Sequence, residues 1–146
     1  MGKKALISWG GWDGHEPEQT AKIANDILKA EGFDVELVDN LDIYEDEKKM
    51  KSYDLIVPVW TMSTITSEQS KGLLTAVKNG TGIAGWHGGM GDSFRDNTEY
   101  QWMVGGQWVA HPGNIIKYTV EIIDNTDPIT AGIKNYHLWY KQKLGE

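Results

Sequence analysis

The turn Gly85-Trp86-His87-Gly88-Gly89 sets an imidazole between glycines, in the form G-x-[nucleophile]-x-G of the strand-to-helix elbow used by hydrolases. The glycines leave room for the backbone to turn and for a substrate to come close to it. Histidine at the elbow position can act as a general acid or base or as a metal ligand, but no Ser–His or Cys–His triad can be built on it. His15 stands in Asp13-Gly14-His15-Glu16-Pro17, where a loop enters a helix. His111 precedes Pro112 and is therefore expected in extended backbone. Together with Asp92 or Glu16, these three imidazoles would suit a zinc-type divalent metal. They are dispersed, with no local motif such as H-E-x-x-H, so the metal assignment stays open and no cofactor is expected. The plain alternative for His87 is a neutral ring hydrogen-bonded to hold its turn.

Seven tryptophans in 146 residues are many, and each large ring needs a core position or a ligand to lie against. Trp12, Trp60, Trp86 and Trp108 fall near the same turns as the histidines and would give apolar faces to a sugar-sized cleft. Gly88 and Gly89 would let a sugar approach the backbone. Arg95 would meet an anionic or hydroxylated substrate, or else pair with Asp92 or Asp96. The competing role for the rings is to plug the end of a sheet. The first glycine-rich loop, Gly10 to Gly14, fits neither G-x-G-x-x-G nor the P-loop spacing and contains no lysine, which argues against nucleotide. It also lacks the hydroxyl-rich sequence that flavin phosphate would need.

Composition removes several classes of function. The 21 acidic residues outnumber the 14 Lys and Arg, giving a net charge of -7 that disfavours nucleic acid and anionic membrane as partners. Lys48, Lys49 and Lys51 form the one basic cluster and read as a solvated helix face. The absence of cysteine excludes disulfides, thiolate metal ligands and thiol nucleophiles. No run has the length of a transmembrane helix and residues 1–9 lack the form of a signal peptide, so a cytoplasmic protein is expected.

These residues must be positioned by the elements around them. Lys4 to Trp9 reads as a buried strand, and Pro17 suits the first turn of a helix that runs to a glycine cap at Gly32. Phe33 to Val38 alternates, as a strand near the sheet edge would, whereas Tyr53 to Trp60 is continuously apolar, as a strand covered on both faces would be. Thr66 and Gln69 offer a capping box for a helix ending at Asn79-Gly80. Gly82 to Trp86 is expected as a fourth strand, Asn97 to Val104 as a helix, and Lys117 to Ile123 as a peripheral strand with one wet face. The tail from Asn135 is too apolar to be idle and is expected to pack or pair. Alternating strands and helices, with no linker or repeat, predict one α/β domain over residues 1–146 with a mainly parallel sheet. In such sheets ligands bind beyond the carboxyl ends of the strands, which selects the loops carrying His15, Trp60 and His87.

Several linked motifs resemble the ThuA-like, or trehalose-utilisation, proteins of the class I glutamine amidotransferase-like superfamily. They are residues 85–92, residues 100–108, His111-Pro112-Gly113, and Asp127-Pro128-Ile129-Thr130-Ala131-Gly132-Ile133, in that order. The resemblance implies a flavodoxin-like three-layer αβα sandwich. It also implies that His87 is the positional equivalent of the amidotransferases' attacking cysteine, so glutamine hydrolysis by that route is unavailable here. It further implies a role on trehalose-like disaccharides or keto-sugars, by hydrolysis or isomerisation. Domains of this family usually continue past the Asp-Pro-Ile-Thr segment, so a form truncated at its C-terminal end is expected. An exposed sheet edge would then favour a homo-oligomer. Two functions follow: an enzyme in which His87 is the acid/base, assisted by His15, His111 and Asp92, or a non-catalytic sugar-binding module that kept the cleft.

Overall fold

The computed structural model describes residues 2–106, 108–110 and 116–138. Its contacts group into two compact units, Met1–Trp108 and Val109–Glu146. The first unit is built on four parallel strands: β1 (Lys4–Gly11), β2 (Asp34–Val38), β3 (Leu55–Thr61) and β4 (Gly82–Ile83). Their order in the sheet is β2-β1-β3-β4, the order of the flavodoxin-like doubly wound fold.

Alternation along the two central strands decides the layers. Ile7, Val57 and Val59 face α1 (Pro17–Ala30), where they pack with Ala21, Ala24 and Leu28. Leu6 and Ile56 point the other way, into a larger core with Tyr44, Met50, Tyr53, Leu73, Phe94 and Tyr100. That side is covered by α2 (Glu47–Met50), α3 (Ser67–Lys78) and α4 (Thr98–Val104). Because β1 and β3 are buried on both faces, they are continuously apolar. β2 lies at the edge, and its half-buried pattern agrees with its alternating sequence.

The helix ends follow their local sequences. Pro17 occupies the first turn of α1, and Gly32 adopts a left-handed φ of 84° just past its end. Thr66 and Gln69 form a reciprocal capping box on α3, in which Thr66 Oγ1 accepts from the Gln69 N–H at 3.1 Å. Asn97 caps α4, and Gly105 closes it with a φ of 86°.

Two expectations change. The fourth strand pairs only over Gly82 and Ile83, so Trp86 lies outside it. Glycines in and after this segment supply little side-chain contact to hold a strand against β3, and the chain leaves the ladder after the Ala84 N–H bonds to Ile56. The peripheral strand shrinks to β5 (Tyr118–Val120), in the second unit. There it pairs antiparallel with β6 (Tyr136–Leu138), in a separate two-stranded sheet. The tail expected to pair does so through Tyr136, His137 and Leu138, while Trp139 and Tyr140 fall outside the described residues. In the same unit, Asp127-Pro128-Ile129-Thr130 forms a turn in which the Asp127 carboxylate accepts the Ile129 N–H at 2.8 Å.

Two tests bear on this core. Gly72 of α3 faces the Tyr44 carbonyl oxygen so closely that a Cβ would lie 1.7 Å from it. Gly→Ala inside a helix ordinarily stabilises by about 1 kcal/mol. Gly72→Ala is expected instead to destabilise by roughly 1–3 kcal/mol, because the clash is with backbone that cannot swing aside. Urea unfolding measures the sign directly. Burial pushes the Tyr100 hydroxyl up to about 12, and raises Tyr44 and Tyr53 above their ordinary value as well. These phenols stay neutral in the folded chain at a pH where an unfolded tyrosine, near 10.0, ionises. Stability from them is complete below that pH and is lost as pH rises beyond it. The urea midpoint should therefore fall steeply between pH 10.0 and about 12.

Candidate functional site

Three loops leave the sheet at the carboxyl ends of β1, β3 and β4, and backbone hydrogen bonds lash them together. The Trp12 N–H donates to the Thr61 carbonyl at 3.1 Å, and Met62 N–H donates to the Asp92 carbonyl at 2.9 Å. Ser93 Oγ reaches both the Trp60 carbonyl at 2.6 Å and the Gly89 carbonyl at 2.9 Å. Close approach is possible only because of glycine. A Cβ on Gly89 would stand 2.9 Å from the Pro58 carbonyl oxygen, and one on Gly11 would stand 2.1 Å from the Thr61 oxygen.

This lashing brings two histidines together. His15 sits in a single turn of 3-10 helix, Asp13–His15, that follows β1. The His15 and His87 rings are 5.8 Å apart between centroids and meet edge to face. Trp12 stands edge-on to His15 at 4.7 Å, and Trp108 lies tilted against His87 at 4.1 Å. Trp12, His15, His87 and Trp108 thus form one unbroken row of rings. Gly88, with a φ of 81°, lies against His15: a Cβ there would be 3.4 Å from Cγ and from Nδ1 of the ring. Trp12 is 51% exposed and His87 is exposed, so the row is open to solvent.

The other candidates take different places. Asp92 is buried, and its carboxylate accepts a short hydrogen bond from Arg95 Nε. That is the pairing alternative foreseen for Arg95. These two line a crevice with Phe94, Tyr100 and Trp108 whose free volume, about 10 Å³, admits about one water and no sugar. Trp60 packs against the larger core, with its ring over Gly10 and its indole nitrogen buried without a hydrogen-bond partner among the described residues. Trp86 is 40% exposed beside the glycine turn. His111 lies outside the described residues. Among the described residues no group of three or more His, Asp or Glu side chains is placed to hold a metal ion.

The elbow also differs from that of a hydrolase. The strand stops at Ile83, and the turn around His87 leads into a 3-10 turn, Met90–Asp92, instead of a long helix. His87 does not take the left-handed backbone. Among the described non-glycine residues that is the conformation of Glu16, with a φ of 49°, and Met62, with a φ of 53°. Each follows directly on one of a bonded pair: His15 Nδ1 and Thr61 Oγ1 are 3.2 Å apart. Side chains with a Cβ rarely adopt this region except where surrounding structure compels it. A threonine just past an apolar strand has no distinguishing signal in the sequence, so this bond is visible only in the structure.

Three layers, the β2-β1-β3-β4 order and a ring-lined site at the strand ends define a flavodoxin-like α/β protein. The chain belongs to the ThuA family, described as trehalose utilisation, whose model matches residues 4–143. It is similar in fold to a ThuA-like protein from Bacteroides uniformis known from its crystal structure, with a TM-score of 0.66 and 22% identity. The match covers 92% of this chain and 57% of that one, so the chain spans a little over half that protein's length. No curated protein matches the chain. Among the described residues no helix is long and apolar enough to cross a membrane.

The buried Asp92 supports a test of the site's frame. Asp92→Asn removes the charge that Arg95 pairs with; because Arg95 is partly solvated, the expected loss is roughly 1–3 kcal/mol, below that of a fully buried pair. Thermal and urea unfolding should show it, and unchanged stability would mean that this pair does not hold the turn.

Proposed function

We propose that the chain serves carbohydrate utilisation by binding a trehalose-like disaccharide or keto-sugar along the row of rings, with His87 as general acid/base. The single observation that carries this reading is the continuous row Trp12–His15–His87–Trp108. Amphipathic rings suit the apolar faces of a pyranose, and two imidazoles side by side can exchange protons with its hydroxyl groups. His15 orients the sugar oxygen and Gly88 and Gly89 admit it to the turn. Trp86 borders it. Asp92 and Arg95 support the turn from behind.

One observation favours a second reading, a sugar-binding module without turnover: His87 is exposed, whereas acid/base catalysis gains from a site that excludes water. The two are separated by one pair of measurements. Titrating trehalose or a keto-sugar while following tryptophan fluorescence should report binding at Trp12 and Trp108, and turnover by the native chain should fall by about 10²–10⁴-fold in His87→Ala. Turnover that His87→Ala leaves unchanged would remove the role of His87. Binding with no turnover in either chain would establish the module.

A further inference from the structure

Thr61 ends β3 with no exposed surface, and its hydroxyl lies 3.2 Å from Nδ1 of His15. Among the described residues that nitrogen is the hydroxyl's one hydrogen-bond partner. A buried O–H that donates to nothing forfeits its hydration without return, so the hydroxyl must be the donor and Nδ1 the acceptor. Neutral imidazole carries a single N–H. With Nδ1 accepting, the proton belongs on Nε2.

We propose that Thr61 is a positioning residue that holds His15 in the Nε2–H tautomer, so that His15 offers the site a hydrogen-bond donor. This rests on the reading of the ring row as the working site. The same residue fixes the loop in two ways, since its carbonyl accepts the Trp12 N–H while its hydroxyl holds the imidazole. Gly88 lies against the Cγ and Nδ1 atoms of the ring, where a Cβ would be 3.4 Å from each, so the glycine lets the turn close on the side that Thr61 holds. Glu16 and Met62, the left-handed residues that follow the two partners, show that the surrounding structure holds both ends of this bond in place against local preference. The division of labour is that of a neutral histidine donor polarising an oxygen beside a separate base.

Nitrogen-15 NMR of the full labelled chain, without sugar and above the pH at which histidines protonate, reads the tautomer directly. His15→Asn assigns the His15 signals. The native chain should show His15 protonated on Nε2, with a Thr61 hydroxyl proton in slow exchange and correlated to Nδ1. In Thr61→Val, of nearly the same shape, the hydroxyl signal disappears and the minor Nδ1–H form should rise by about three- to tenfold, the factor set by losing one ordinary hydrogen bond. Thr61→Ser should restore the native pattern. His15 protonated on Nδ1 in the native chain would overturn the proposal, whether or not the valine variant folds. So would a minor-form fraction that is the same in the native and valine chains. Neither result depends on turnover, so a failure of the sugar reading shows in the His87→Ala measurement and not here.

Discussion

A parallel sheet sends all its strands out at one end, and the loops that emerge there must satisfy their backbone groups on one another or on water. In this chain they do so on one another, and the tie runs through the end of β3. Thr61 accepts from Trp12, Met62 donates to Asp92, and Ser93 holds the carbonyls of Trp60 and Gly89. Everything distinctive about the site follows from this lashing. His15 arrives on the β1 loop and His87 on the β4 loop, and neither would meet the other if the two loops were not tied to the same strand end.

The tie needs a stiff support, and the two-faced core supplies it. β1 and β3 alternate Leu6 with Ile7 and Ile56 with Val57, so each strand is gripped by α1 on one face and by the larger cluster on the other. Ser8 Oγ and the Tyr44 hydroxyl bond at 2.6 Å inside that cluster, satisfying two polar groups in an otherwise apolar layer. The strain carried by Glu16 and Met62 persists because these layers do not yield to it.

Much of this was legible in the residues. Pro17, Thr66 with Gln69, and Asn97 mark helix starts by local hydrogen-bond chemistry that acts over three or four residues, and the helices begin there. The apolar run ending at Trp60 marks a doubly covered strand for the same local reason. The linked glycine, aromatic and Asp-Pro motifs were enough to indicate the ThuA family. The fourth strand was overextended because its length depends on how far β3 offers it a partner, which Gly82 to Trp86 do not encode. The strand near Lys117 was placed beside the sheet because alternation reports one wet face without naming the partner. Its partner is β6.

By itself, then, the sequence determined the element types, the fold class and the chemistry within reach: histidine without cysteine, tryptophan in excess, acidic residues outnumbering basic ones. Only the tertiary structure decided which of those groups meet. It joined His15 to His87 and Trp12 to Trp108 in one row, turned Asp92 towards Arg95, put Trp60 into the core, and revealed Thr61 behind His15. The reason is physical. Propensity and capping act between neighbours in the chain, whereas the site joins loops from different strands, as His15 to Thr61 across 46 positions and His15 to His87, set by strand register and by glycines that let backbones touch.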